Sequence, residues 1–302
     1  RKAVACVDTD LRALPTSRPF FEDPSRAGEG YPFDYLQNSR VKAGEPLFVG
    51  HYSADGAWAF VETGYASGWV DSRDIALVDE DFAQRWRSLP QAFVIDDGVT
   101  ISDRGGVYRF TARVGTVLPV VGGGKGGPLV IAVPVRDERG RAVRVEALLS
   151  PGQVSDGPLP LTEWNLAMVI DRMIGKSYGW GDLGGNRDCS GSLRDLFTAF
   201  GVWLPRNSAA QARAYPFVPF GEVPGREKEE RLALEGVPFA TLLAVPGHIM
   251  LYLGTYRGEP WVFHSMWGVR TLRDGKEGRH IVGAAVITTL RPGRDAADLD
   301  PR

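Results

Sequence analysis

Along the first half of the chain, apolar residues come in short bursts divided by turn residues. Pro46-Leu-Phe-Val-Gly50, Trp58-Ala-Phe-Val61 and Trp69-Val70 are such bursts, separated by Ser53-Ala-Asp-Gly56 and Thr63-Gly-Tyr-Ala-Ser-Gly68. Short apolar runs closed by Gly, Asp and Ser predict the strands of a small β-barrel. The style recurs at Ala92–Ile95, Gly106–Phe110, Gly115–Val121, Leu129–Val135 and Arg141–Leu148, which predicts a second one. Between the two, Phe82 and Trp86 stand four apart, as on a short helix, and Pro90 ends it. Residues 1–34 show no clear period and read as an irregular arm; Ser150–Pro160 reads as a linker.

From about Leu161 the period changes. Trp164, Met168 and Met173, with Leu166 and Ile170, recur at helical spacing, with Thr162 as N-cap and Gly175 as stop. Cys189, Leu193, Leu196, Phe197 and Phe200 share one face of a second helix that Asp188 is placed to cap. Phe239–Val245, His248–Gly254, Trp261–His264 and Ile281–Thr289 read as strands, so the last unit is α+β.

A length of 302 residues suggests two or three domains. The net charge of −2 gives no basic field for nucleic acid, and no apolar run approaches the roughly 20 residues that span a bilayer. The chain starts at Arg1, which fits an exported protein whose signal has been removed. Gly122-Gly-Gly-Lys-Gly-Gly127 lacks the Lys-Ser/Thr ending of a phosphate loop and reads as a hairpin tip.

The candidate chemistry centres on Cys189. In the first turn of a helix, the free N–H groups and the dipole favour a thiolate, while adjacent Asp188 opposes it. A histidine supplies a counter-charge and accepts the thiol proton. Of four histidines, His248 opens one strand and His264 closes the next, so a hairpin makes them neighbours. One can act as base while the other fixes its tautomer. Other readings stand beside this one. Cys189 can be core packing, can pair with Cys6 in a disulfide, or can join the two histidines as zinc ligands, though a fourth ligand is not evident.

Tyr178-Gly-Trp-Gly-Asp-Leu-Gly-Gly-Asn-Arg-Asp-Cys-Ser-Gly191 resembles the tyrosine-to-cysteine motif of the NlpC family of papain-like cell-wall peptidases. Pro246-Gly-His-Ile-Met-Leu-Tyr-Leu-Gly254 resembles its histidine strand and Phe263-His-Ser265 the strand of its third residue. Asp34-Tyr-Leu-Gln-Asn-Ser39, Ser53–Trp58 and Gly68-Trp-Val70 are similar to the bacterial SH3-like domains that precede the catalytic domain in some members. The chain departs from the family's pattern at Gly181-Asp182 and in a longer interval from His248 to His264.

The resemblance implies an arm at 1–34, SH3-like β-barrels at 35–89 and 90–158, and a papain-like α+β domain at 159–302. It implies a cysteine endopeptidase acting on the D-γ-glutamyl–diamino acid amide, usually of meso-diaminopimelate, in peptidoglycan stem peptides or murein fragments. Cys189 then attacks, His248 is the base, His264 orients it, and Tyr178 with the Cys189 backbone N–H stabilises the oxyanion. Asp188 and Ser190 match positions lining the pocket for the L-Ala end. Asp55 and Tyr65, on the loops Ser53–Trp58 and Thr63–Gly68, are expected at the groove end. No metal or organic cofactor is implied, and the site of action is the cell envelope. A non-catalytic cell-wall peptide binder and a thiol acyltransferase on the same fold are the alternatives.

Overall fold

The computed structural model describes residues 1–26, 28–273 and 276–293. Its first unit holds β1 (Lys2–Ala5), β2 (Thr9–Arg12), β3 (Gln37–Val41), β4 (Pro46–Tyr52), β5 (Trp58–Glu62), β6 (Ser67–Asp71) and β7 (Ile75–Leu77). They form one antiparallel sheet in the order β3-β2-β6-β5-β4-β1-β7. Alternation works as expected in β4 and β5, where Leu47, Val49, Ala59 and Val61 turn inward.

The arm expected at residues 1–34 is therefore corrected, because β1 and β2 lie inside this sheet. β1 is buried on both faces. Ala3 and Ala5 enter the main core, while Val4 joins Cys6 and Ala76 beneath Phe82 and Trp86. A strand covered on both sides has no alternation to detect. The described residues among 13–36 then run without a strand.

Asp79 caps α1 (Glu80–Ser88) by accepting from the Phe82 N–H, and this helix leads into the second unit. That unit comprises β8 (Gln91–Val94), β9 (Val99–Ser102), β10 (Tyr108–Ala112), β11 (Val117–Gly123), β12 (Leu129–Arg136), β13 (Ala142–Leu149) and β14 (Val154–Asp156). The sheet order is β13-β12-β11-β8-β14, with β9 and β10 as a separate hairpin. The segment expected as a linker supplies β14, which pairs with β8. The glycine-rich run closes the β11–β12 hairpin.

The third unit carries α2 (Glu163–Met173), α3 (Cys189–Thr198), α4 (Ser208–Gln211) and α5 (Gly225–Glu235). These precede an antiparallel sheet of β15 (Leu242–Val245), β16 (His248–Tyr256), β17 (Glu259–Arg273) and β18 (Lys276–Thr289), in that order. Thr162 and Asp188 cap α2 and α3 as their side chains suggest. Leu166, Val169, Ile170 and Met173 of α2 meet Leu193, Leu196 and Phe197 of α3, and the sheet closes the core with Ile249, Leu251 and Phe263. The β17–β18 hairpin runs well past His264, where the sequence suggested that the strand ends.

α3 is buried on its polar side too. Asp195 there receives Lys42 from the first unit and Arg187 Nε at 2.8 Å, with Arg113 Nε of the second unit 3.6 Å away. Arg187 in turn holds Asp97 of the second unit at 2.6 Å. One carboxylate on the helix that begins at Cys189 thus ties all three units together. Those cations hold Asp195 well below the usual carboxylate range, against the cost of burial.

Candidate functional site

Cys189 is the first residue of α3 and is nearly buried. Asp188 Oδ1 accepts from the Gly191 N–H at 2.7 Å, which fixes the helix start. Asp188 Oδ2 accepts from the Gly181 N–H at 3.0 Å, which folds the preceding turn back onto the helix. Gly181 sits at φ 60°, and a Cβ there would lie 2.3 Å from the Gln37 carbonyl oxygen, so this close approach requires glycine. Asp182, at the departure from the family pattern, also takes a left-handed φ of 63°. It is buried, with Oδ2 at 3.3 Å from Arg206.

Burial, and then the Asp188 charge, push the Cys189 thiol up to about 12. The N–H groups of Ile249 and Ser190 act on the sulfur in the opposite direction and do not prevail. Desolvation thus outweighs these donors, and the thiol is harder to ionise than a helix N-terminus alone suggests. Both cysteines are free, so no Cys6–Cys189 disulfide forms.

The N–H of Ile249 brings β16 against the thiol, and His248 is the residue before it. Leu251 pairs with Phe263, which places His248 and His264 diagonally on one face of the sheet. His248 Nε2 lies 2.8 Å from His264 Nδ1. Burial lowers His248 to about 4 and His264 to about 3, so both rings are neutral at ordinary pH. His280 pairs with Val269 further along the hairpin.

Tyr178 is buried beside α3. Burial and the charges of Asp188 and Cys189 raise its phenol above the usual range, so it remains a hydrogen-bond donor. Its ring stands 5.9 Å from Trp267 and 6.3 Å from Phe33, and Phe33 also meets Trp180 at 5.4 Å.

The first unit reaches this site through residues 31–39. Tyr31 and Phe33 face Trp267, Gln37 Nε2 donates to the Gly181 carbonyl at 3.1 Å, and Ser39 Oγ accepts from Arg206 Nε at 2.7 Å. The hydrogen bonds of Asp55 stay within its own hairpin, to Ser53 Oγ and the Ala57 N–H. Tyr65 is pinned by its hydroxyl to the Arg40 carbonyl and Glu45, under the Arg194 guanidinium 3.5 Å from its ring. Neither contact set joins these two residues to Cys189.

Arg206 gave no sequence signal, yet it grips both oxygens of Asp188, at 3.1 and 2.9 Å, and Ser190 Oγ at 3.1 Å. Phe33, Trp267 and Thr288 were equally silent, because their place depends on packing between units and on the register of β18. Among the described residues no group of His, Cys, Asp and Glu is arranged to hold a metal.

Family models match residues 19–71 as an SH3 domain of SH3b1 type, 79–125 as an SH3 domain of SH3b2 type and 175–276 as NlpC/P60. The chain is similar in structure to an NlpC/P60 endopeptidase from Photobacterium damselae subsp. piscicida. The two are 31% identical with a TM-score of 0.85, over 97% of this chain and 67% of that one. An NlpC/P60 family protein from Bacillus cereus ATCC 10987 shares the fold at 16% identity and a TM-score of 0.65, over 99% of this chain and 97% of that one. No curated protein matches. Two SH3-like domains thus precede an NlpC/P60 domain.

Proposed function

Since the chain belongs to the NlpC/P60 family, we propose that it is a cysteine endopeptidase that cleaves the D-γ-glutamyl–meso-diaminopimelate amide of peptidoglycan stem peptides. The observation that carries this reading is the 2.8 Å bond between His248 and His264, on the strand whose Ile249 N–H meets the Cys189 sulfur. In the same reading the two β units are SH3-like barrels and the last unit is papain-like.

His248 Nε2 is engaged by His264, so Nδ1 is the nitrogen that takes the thiol proton. Sulfur attacks the γ-carbonyl carbon, and the oxyanion receives hydrogen bonds from the Cys189 N–H and the Tyr178 hydroxyl. Protonated His248 gives its proton to the leaving amine of the diamino acid, leaving a thioester. Water, deprotonated by His248, then releases the γ-carboxylate and restores the thiol. Because thiol and imidazole both start neutral, the proton moves during attack rather than beforehand.

Asp188 and Ser190 lie at the L-Ala end of this reading. With both Asp188 oxygens on Arg206, a free L-Ala ammonium has to compete with a buried guanidinium. In this reading that competition favours stems whose L-Ala is still acylated by the glycan, as expected of an enzyme acting on the cell wall. Among the described residues no helix is long and apolar enough to cross a membrane. The test is mass spectrometry of products from intact sacculi and from free stem peptide. Release of fragments ending in D-glutamate, lost in Cys189→Ala, is the expected result; cleavage at another bond would overturn the assignment.

A further inference from the structure

The two histidines do not end their hydrogen-bond chain at each other. His264 Nε2 lies 3.0 Å from Thr288 Oγ1, and Thr288 Oγ1 lies 2.8 Å from the Thr289 carbonyl oxygen. A carbonyl only accepts, so the one hydroxyl proton of Thr288 goes to Thr289. The hydroxyl can then only accept from His264, which places a proton on His264 Nε2. A neutral imidazole protonated at Nε2 carries a lone pair on Nδ1. His248 Nε2 must therefore be the donor across the 2.8 Å contact, which leaves the lone pair of His248 on Nδ1.

From this chain of donors we infer that Thr288 is a positioning residue that fixes the tautomers of both histidines and so presents the basic nitrogen of His248 to the Cys189 thiol. The inference rests on the proposed Cys189–His248 chemistry and adds the element that orders it. The sheet builds the chain from three strands. Thr288 stands across from Val262, two positions from His264 on the same face of the β17–β18 pair, and His248 takes the diagonal place on the other side. The directionality comes from a backbone carbonyl, which cannot reverse its role as a carboxamide can by flipping. No carboxylate takes part, so the relay orients His248 without adding negative charge beside a thiol that must lose its proton.

The ring nitrogens report the tautomers directly. In ¹⁵N-labelled protein at neutral pH, two-bond ¹⁵N–¹H correlations should show Nε2–H on both His248 and His264. Thr288→Val, which keeps the shape and removes the acceptor, should release His264 into a tautomer mixture. It should lower kcat by roughly tenfold or more with little change in KM, since part of the roughly 10²- to 10⁴-fold contribution of a positioned general base is lost. Thr288→Ser, which keeps the hydroxyl, should keep both tautomers and a kcat near that of wild type. Nδ1–H on either histidine in the wild type would overturn the inference, as would a folded Thr288→Val protein with unchanged tautomers and kcat. Turnover retained in Cys189→Ala would instead overturn the catalytic reading and leave the tautomer assignment standing.

Discussion

Lys42 and Asp195 stand 153 positions apart in sequence and form an ion pair whose side chains are 1% and 2% exposed. The pair joins the first unit to the helix that starts at Cys189. Breaking one side of a buried pair is costly because the other charge stays behind, about 3–5 kcal/mol where nothing else compensates it. Here the two sides are unequal. Lys42→Met leaves Asp195 with Arg187 and Arg113, whereas Asp195→Asn leaves Lys42 without its carboxylate and takes one partner from Arg187, which keeps Asp97, and one from Arg113. Asp195→Asn should therefore lower the urea midpoint more than Lys42→Met. Equal losses would show that the arginines do not share the carboxylate.

Cys189→Ala should reduce turnover by several orders of magnitude, and Cys6→Ala should leave it unchanged. His248→Ala should be nearly as severe, because the proposed mechanism makes the two residues one unit. His264→Ala should cost less, and His264→Asn less again, since an amide can accept from His248 Nε2. Steady-state rates on a stem peptide decide the order. A larger loss in His280→Ala than in His264→Ala would remove His264 from its place.

The acid limb of kcat/KM should fall near pH 4, the value to which burial lowers His248, and not near the ordinary histidine value of 6.5. Stability should follow a related window. Both histidines bind protons less readily folded than unfolded, since they drop from 6.5 to about 4 and about 3. The unfolded chain therefore takes up more protons as pH falls through that range, and stability declines with it. His264→Asn removes one of the two groups and should flatten the decline in urea midpoint between pH 6.5 and 4. An unchanged slope would place its cause in other groups.

The helix that starts at Cys189 and the histidine hairpin were legible because each is a local signal. Asp188 before an apolar helical face gives the start of α3, and two apolar strands around a polar turn give the neighbourhood of His248 and His264. β1 was not legible, because a strand buried on both faces has no period of two. Thr288 and Arg206 were not legible for a different reason. Their partners lie 24 and 18 positions away, across strand register and a loop that only the folded sheet and the packed units define. The rise of the thiol's pKa was not legible either, since a sequence shows a helix N-terminus but not the burial that opposes it.

The first unit should act on the site through Phe33 and not through the loop that carries Asp55. Phe33 is buried among Tyr178, Trp180 and Trp267, so truncation opens a hole beside the proposed oxyanion donor. Loss of a buried Phe side chain costs about 3–5 kcal/mol when the site cannot collapse. Phe33→Ala should therefore lower both stability and kcat, and Phe33→Leu should recover most of each. Asp55 is exposed, and its hydrogen bonds serve its own turn. Its replacement by Ala should leave rates on free and glycan-linked stems within about twofold of wild type, as for an ordinary surface change. Tyr65→Phe removes a hydroxyl bonded to Arg40 and Glu45, which should cost about 1 kcal/mol of stability without altering the ratio of the two rates. The decisive measurement is that ratio in all four variants. If Asp55→Ala or Tyr65→Phe shifts it while Phe33→Ala does not, the Ser53–Trp58 and Thr63–Gly68 loops, and not residues 31–39, are where the first unit meets the substrate.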